Sequence, residues 1–303
     1  MPELPEVETI RRGLEKCILG KAGKVKEIEV FEKKSFLGEK EKILGEGVVG
    51  FSRRGKALII HFANNYSVII HLRMTGQLIW RENYSSGDII SREELIEKSF
   101  AGGHPNDNFL AELPNKQTRV LVEFENGTLF FNDQRKFGFF KVVKTEDVEA
   151  DSFIRKLAKE PWEMTGEELF EKLQRHKGAA VKTVILDQSV ICGLGNIYAD
   201  EALFFSGINP KRKAGSLTRE EAEKLVLGAR TVMERSLEAG GSTIRNYVKS
   251  DGSKGDYLEL FAEVFNREGK PCKRCGEKIV KTKVSGRGTH FCPNCQREQG
   301  EEK

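Results

Sequence analysis

No run in this chain is apolar and long enough to span a bilayer, and no secretory h-region is present. Membrane-spanning and exported classes are set aside, so the expectation is a soluble, intracellular protein with no membrane partner. Cysteine is scarce outside one C-terminal cluster, with only Cys17 and Cys192 elsewhere. Both read as reduced, small apolar residues, which fits a reducing compartment and speaks against a disulfide framework. Strong charge of one sign is also missing. The formal net charge is +4 with 32% charged residues, so the total does not announce nucleic acid and the distribution has to. No internal repeat is apparent.

At 303 residues, one or two domains plus a small appendage are expected, with room for ordinary cores. Residues 3–19 suit a helix, because Val7, Ile10, Leu14 and Ile18 share a face and Gly20 ends it. From about residue 24 the pattern turns strand-like, over Val25–Phe31, Val48–Arg53, Ala57–Phe62, Ser67–Leu72, Arg119–Phe124, Thr128–Phe131 and Phe139–Val143. Asn64-Asn65 and Asn126-Gly127 mark hairpin turns. A β-sandwich with a single leading helix follows. Residues 83–117 interrupt it as a long loop with a short helical piece at Arg92–Lys98. Helical periodicity then covers Ser152–Ala158, Gly166–Arg175, Ala180–Leu186, Ile197–Phe205 and Thr218–Ala239, the last opened by a Thr218/Glu221 capping box. Residues 242–260 are polar and glycine-rich, as a loop would be.

Four segments carry chemistry. The start, Met1-Pro2-Glu3-Leu4-Pro5-Glu6, reads two ways. Prolines and carboxylates suit a first helical turn. Removal of Met1 would instead expose Pro2 as a secondary amine, and α-amino groups titrate near pH ~8. Cys272-x2-Cys275 and Cys292-x2-Cys295 have the spacing of a structural zinc site, with disulfides as the bland alternative. Between the pairs lie candidate strands Ile279–Val284 and Gly288–Phe291, joined through Ser285-Gly286-Arg287, in a segment rich in lysine and arginine. Gly193-Leu194-Gly195-Asn196 precedes a helix and is either an ordinary glycine turn capped by Asn196 or a phosphate cradle. Met74 and Phe137 sit beside Arg73, Arg135 and Lys136. Such residues are ordinarily core. Lys56, before a strand, reads by itself as a solvated lysine.

The opening resembles the formamidopyrimidine-DNA glycosylase family. The resemblance continues through His71-Leu72-Arg73-Met74-Thr75-Gly76, Asp133-Gln134-Arg135-Lys136-Phe137-Gly138 and Gly193–Ala199, and ends in the four cysteines. It implies an α+β chain: an N-terminal catalytic β-sandwich with a leading helix (1–148), a helical helix-two-turns-helix domain (149–262) and a zinc-finger β-hairpin (263–303). It implies a bifunctional DNA glycosylase/AP lyase for oxidised purines, with Pro2 as nucleophile, Glu3 as proton carrier, and Lys56 and Arg287 supporting elimination. Met74, Arg135 and Phe137 would enter the duplex, while Asn196 and Lys177 would contact phosphate. Ser242, Thr243, Tyr247 and Tyr257 would form a loop over the flipped base. One structural Zn2+, no organic cofactor, a damaged double-stranded DNA partner, a monomer and a bacterial-type cytoplasmic location at the nucleoid complete the expectation. Gln134, Lys136 and Gln117 depart from the residues common in the family, and 83–117 is longer than in the commonest members. Endonuclease VIII-like action on oxidised pyrimidines is the rival activity. A non-enzymatic zinc-ribbon DNA binder is the rival class.

Overall fold

The computed structural model describes residues 1–84, 98–104, 111–240 and 262–298. They fall into two compact units, one built on Met1–Arg155, the other on Lys156–Ala239 with residues 262–298.

In the first unit, α1 (Leu4–Ile18) opens the chain. Glu3 is its N-cap, and a capping box forms between Glu3 and Glu6, with Glu3 N–H donating to Glu6 Oε2 at 2.9 Å. Ten strands follow: β1 (Val25–Val30), β2 (Phe36–Leu37), β3 (Val48–Arg54), β4 (Ala57–Phe62), β5 (Tyr66–His71), β6 (Gly76–Glu82), β7 (Ser99–Gly103), β8 (Thr118–Phe124), β9 (Gly127–Asp133) and β10 (Phe139–Lys144). They make two five-stranded sheets, ordered β1-β8-β9-β6-β7 and β2-β10-β5-β4-β3. One core joins both sheets, including Leu78, Trp80, Val120, Phe131, Ile60, Ile70 and Phe140, and receives Val7, Ile10, Leu14 and Ile18 from α1. The sandwich with its leading helix is as expected, and the periodicity that revealed α1 is the face that α1 buries.

Three strands escaped the sequence reading: the two-residue β2, β6 and β7. In β6, Leu78 and Trp80 face the sandwich core, while Ile79 packs into a second cluster with Tyr84, Leu113, Leu121 and Phe130. Burial on both faces removes the polar alternation that signals a strand. In β7, Ser99-Phe100-Ala101-Gly102-Gly103 reads as a turn by composition, yet it pairs with β6 at the sheet edge. It also lies against α1: a Cβ on Gly13 would fall 2.1 Å from the Phe100 ring. That contact accounts for a glycine in mid-helix, where it costs about 1 kcal/mol relative to alanine. The helical piece expected at Arg92–Lys98 lies outside the described residues, apart from Lys98.

The second unit holds α2 (Gly166–Arg175), α3 (Val181–Ile185), α4 (Asn196–Ser206) and α5 (Arg219–Glu238), then β11 (Val280–Val284) paired with β12 (Arg287–Phe291). Thr218 and Glu221 form the expected capping box. Ser152–Ala158 is not the helix that was expected. Only a 3-10 turn forms at Ile154–Lys156, Asp151 Oδ1 takes the Phe153 N–H at 2.8 Å, and Ala158 N–H turns to Gln188 O at 2.8 Å. Helical bonding is replaced by a local cap and a tertiary partner. Phe204 of α4 shares a core with Val264, Cys272, Ile279 and Cys292, so the cysteine module packs on the helices. Glu201 of α4 reinforces this by accepting the N–H groups of Glu263, Val264 and Phe265 at 2.7–3.0 Å. Its burial pushes the carboxyl above the usual range.

Candidate active site and DNA-contact elements

The capping box draws Pro2, Glu3 and Glu6 into the first unit, all of them buried. Lys56 sits in the two-residue turn between β3 and β4, where Gly55 takes a positive φ of 57°, and is itself buried. The terminal amine, here that of Met1, lies in the field of Glu3, Glu6 and Lys56. Burial lowers its pKa from the ordinary 8.0, the two glutamates oppose this, and Lys56 adds to it. The net shift is downward, toward the free amine. A buried lysine, two carboxylates and a terminal amine therefore share one neighbourhood, which suits nucleophilic attack with proton transfer. The solvated reading of Lys56 is overturned by its burial.

Arg53 has an ion pair: its Nε donates to Glu8 Oε2 at 3.2 Å. Glu8 also pairs with Arg11 at 3.0 Å and Arg12 at 2.7 Å. Burial pushes the Glu8 carboxyl up, but the arginines together hold it below the usual range.

Two residues near this site were not singled out beforehand. His71, at the end of β5, accepts the Arg73 N–H on Nδ1 at 3.0 Å, which requires an unprotonated Nδ1. Burial, with Arg73 and Lys56 adding, depresses its pKa to about 3. His104 follows β7, and its pKa is lowered by burial and by the terminal amine, with Asp133 opposing. The signal for both lay in adjacent motifs, but pairing with β6 was needed to bring His104 here.

Met74 and Phe137 stand out from the surface, 39% and 57% exposed. Large apolar side chains in solvent are unlike core residues, so the core reading does not hold. Arg135 lies over the Phe137 ring at 4.9 Å. Lys136, beside them, pairs with Glu32 at 2.8 Å.

In the second unit, α3, two turns and α4 form the helix-two-turns-helix element. Gly195, not Asn196, is the N-cap of α4, because Asn196 already has helical geometry. The Asn196 Nδ2 donates to Gly288 O at 3.0 Å, one residue past Arg287. Lys182, fully buried, pairs with Asp200 at 2.7 Å and donates to Gly288 O at 3.0 Å. The β11–β12 hairpin is thus bolted to α3 and α4. Its turn is the two residues Ser285-Gly286, both at positive φ, so Arg287 opens β12 rather than sitting within the turn. Arg287 is exposed there, as is Lys177 after α2.

The sulfurs of Cys272, Cys275, Cys292 and Cys295 all lie within 4.8 Å of one another, a donor set fitted to one structural zinc ion. Burial raises the Cys292 thiol, whereas hydrogen bonds led by Asn294 bring Cys275 down to about 6. A dication offsets the charge of four clustered thiolates, and four sulfurs leave no open position for catalysis. Among the described residues this is the one cluster able to hold a metal, and no described helix is long and apolar enough to cross a membrane. Ser242, Thr243, Tyr247 and Tyr257 lie outside the described residues.

Fold and site together define a DNA glycosylase class that joins a sandwich domain to a helix-two-turns-helix domain and a zinc finger. Three domain families match in chain order: the formamidopyrimidine-DNA glycosylase N-terminal domain over residues 1–140, the formamidopyrimidine-DNA glycosylase H2TH domain over 157–248, and the zinc finger found in FPG and IleRS over 269–297. The chain belongs to the formamidopyrimidine-DNA glycosylase family. It is 38% identical to the formamidopyrimidine-DNA glycosylase of an Exiguobacterium species, covering 98% of this chain and 99% of that one. It is 39% identical to that of Pelotomaculum thermopropionicum over the same shares. Among solved structures, a Lactococcus lactis FPG mutant in complex with Fapy-dG-containing DNA matches at TM-score 0.81 and 32% identity, covering 98% of this chain and 100% of that one. The wild-type L. lactis protein with oxidised-pyrimidine-containing DNA matches at 0.79 and 31%, over the same shares.

Proposed function

We propose that this protein excises oxidised purines, 8-oxoguanine and formamidopyrimidines, from duplex DNA and then cleaves the strand as an AP lyase. The observation that supports the reading is the terminal amine in the field of the buried Glu3, Glu6 and Lys56, in a chain matching a formamidopyrimidine-DNA glycosylase over 98% of its length. After removal of Met1, the unprotonated Pro2 nitrogen attacks C1′ of the damaged nucleotide and the base leaves. Glu3 protonates the opening sugar oxygen, and an iminium forms between Pro2 and C1′. The iminium acidifies C2′–H. Loss of that proton expels the 3′ phosphate, and a second elimination expels the 5′ phosphate. Lys56 and Arg287 support these proton transfers and the leaving phosphates.

Met74, Arg135 and Phe137 enter the duplex, with Phe137 parting the stack, Met74 filling the vacated space and Arg135 meeting the orphaned base. Asn196 and Lys177 contact phosphate, and the loop of Ser242, Thr243, Tyr247 and Tyr257 covers the flipped base. The four cysteines hold zinc as a structural ion. The protein works as a monomer on the DNA in the cytoplasm.

The wild-type L. lactis neighbour in complex with oxidised-pyrimidine-containing DNA keeps a second reading open, action on pyrimidine lesions. Cleavage of matched duplexes carrying either 8-oxoguanine or an oxidised pyrimidine separates the two. The purine reading predicts the faster cleavage on 8-oxoguanine, and the reverse order would contradict it.

A further inference from the structure

Asp133 ends β9, is 1% exposed, and has a carboxylate that accepts from four donors. Thr75 Oγ1 and Arg135 N–H bond to Oδ1, the latter at 3.2 Å. Phe137 N–H and Gly138 N–H bond to Oδ2 at 2.8 and 2.7 Å. An ionised carboxylate offers about four acceptor positions, so its capacity is filled. Thr75 Oγ1 also accepts the Arg135 N–H at 3.0 Å.

These bonds join two loops that are distant in sequence. One links β5 to β6 and carries Met74; the other links β9 to β10 and carries Arg135 and Phe137. Each loop contains a non-glycine residue in the left-handed region, Arg73 at φ 51° and Lys136 at φ 58°. Such residues persist where surrounding bonds over-determine them. Gly138 completes the arrangement: a Cβ there would fall 2.5 Å from Phe131 Cζ and 2.9 Å from His71 O. Only glycine brings that N–H to Asp133 without displacing the core.

We propose that Asp133 is the positioning residue of the duplex-invading wedge. It locks both loops into one preformed unit, so that Met74, Arg135 and Phe137 enter DNA together. The inference rests on the invasion role assigned above to those three side chains. Asp133 does its work through the backbone it holds. Loops that had to order on DNA would lose backbone freedom at that moment, and a preformed wedge avoids this cost.

Asp133→Asn tests the lock, because the amide must turn its NH2 toward one of two donor pairs whichever way it is flipped. Thr75→Val is milder: it cuts the bridge between the loops and keeps the shape, and Thr75→Ser restores the hydroxyl. Each variant is compared on a paired 8-oxoguanine duplex and on a pre-formed, unpaired abasic site, with Arg135→Ala and Phe137→Ala alongside. Excision at the paired lesion should fall by about tenfold or more in Asp133→Asn and Thr75→Val, the loss of about one buried hydrogen bond. Cleavage at the unpaired site should change by less than about threefold, since little unstacking remains to be offset, and Thr75→Ser should recover.

If Arg135→Ala and Phe137→Ala show the paired-selective loss but Asp133→Asn and Thr75→Val do not, the lock is wrong and invasion stands. If Arg135→Ala and Phe137→Ala lose both substrates equally, the invasion reading itself fails. Should Asp133→Asn not fold, the Thr75→Val and Thr75→Ser pair decides alone. Equal losses on both substrates in Thr75→Val overturn the lock.

Discussion

Glu3 has two duties at one position. It caps α1 through the box with Glu6, and it faces the terminal amine. Glu3→Gln keeps much of the first duty, because a glutamine oxygen can still accept the N3 backbone N–H. Only the second needs a transferable proton. Base excision from an intact lesion should therefore fall by about a hundredfold or more, in the range of general acid–base catalysis. Cleavage of a pre-formed abasic site, which already presents an aldehyde to the amine, should survive in part. Single-turnover assays on the two substrates make the comparison, and equal losses would reduce Glu3 to a cap. His71 gives a second prediction, on stability. Its folded pKa, about 3, lies below the ordinary 6.5. As pH falls, the unfolded chain takes up this proton first. The stabilisation is complete above about pH 6.5 and is lost progressively as pH falls toward 3. His71→Phe should flatten that slope in denaturant melts. It should also cost roughly 1–3 kcal/mol at neutral pH, because the Arg73 N–H loses its partner. An unchanged slope would show that His71 does not titrate as its burial dictates.

At the scale of elements, the zinc-finger hairpin carries the clearest prediction. The cysteine cluster shares a core with Phe204 of α4, and the β11–β12 hairpin is held through Gly288 O of β12 by Lys182 and Asn196. Cys272→Ser should lose metal and disorder the hairpin, since a structural site contributes folding energy directly. DNA binding should fall with it. Arg287→Ala should keep stoichiometric zinc and lower the salt slope of DNA binding by about one. Full zinc with an unchanged slope would remove Arg287 from the phosphate contacts. How far the elements were legible follows from their packing. α1, α2 and α5 announced themselves by periodicity, α5 also by its Thr218/Glu221 capping box, and β11–β12 by its turn and flanking cysteines. β6 was hidden by burial on both faces, and β7 by its glycines, Gly102 crowded by Ile10 of α1 and Gly103 by the backbone of β6. Ser152–Ala158 has helical spacing but its backbone donors find other partners. Period alone cannot register a tertiary competitor.

At the scale of the molecule, residues of a candidate site could be named from the sequence, but their coupling could not. Pro2, Glu3, Lys56, Met74, Arg135 and Phe137 could be named from ordered motifs. That Asp133 ties Thr75 to Arg135, Phe137 and Gly138 required the register in which Gly76 faces Asp133. That His104 lies in the field of the terminal amine required β7. Long-range pairing of this kind leaves no local pattern. The central claim, an N-terminal amine that bonds covalently to the sugar, joins all these parts and has a direct test. The protein, with Met1 shown by mass spectrometry to be removed, is mixed with 8-oxoguanine duplex DNA and borohydride. Reduction of the iminium should give a stable protein–DNA adduct that maps to Pro2, and protein retaining Met1 should give neither adduct nor strand cleavage. Cleavage without any adduct, or full activity with Met1 in place, would contradict the account.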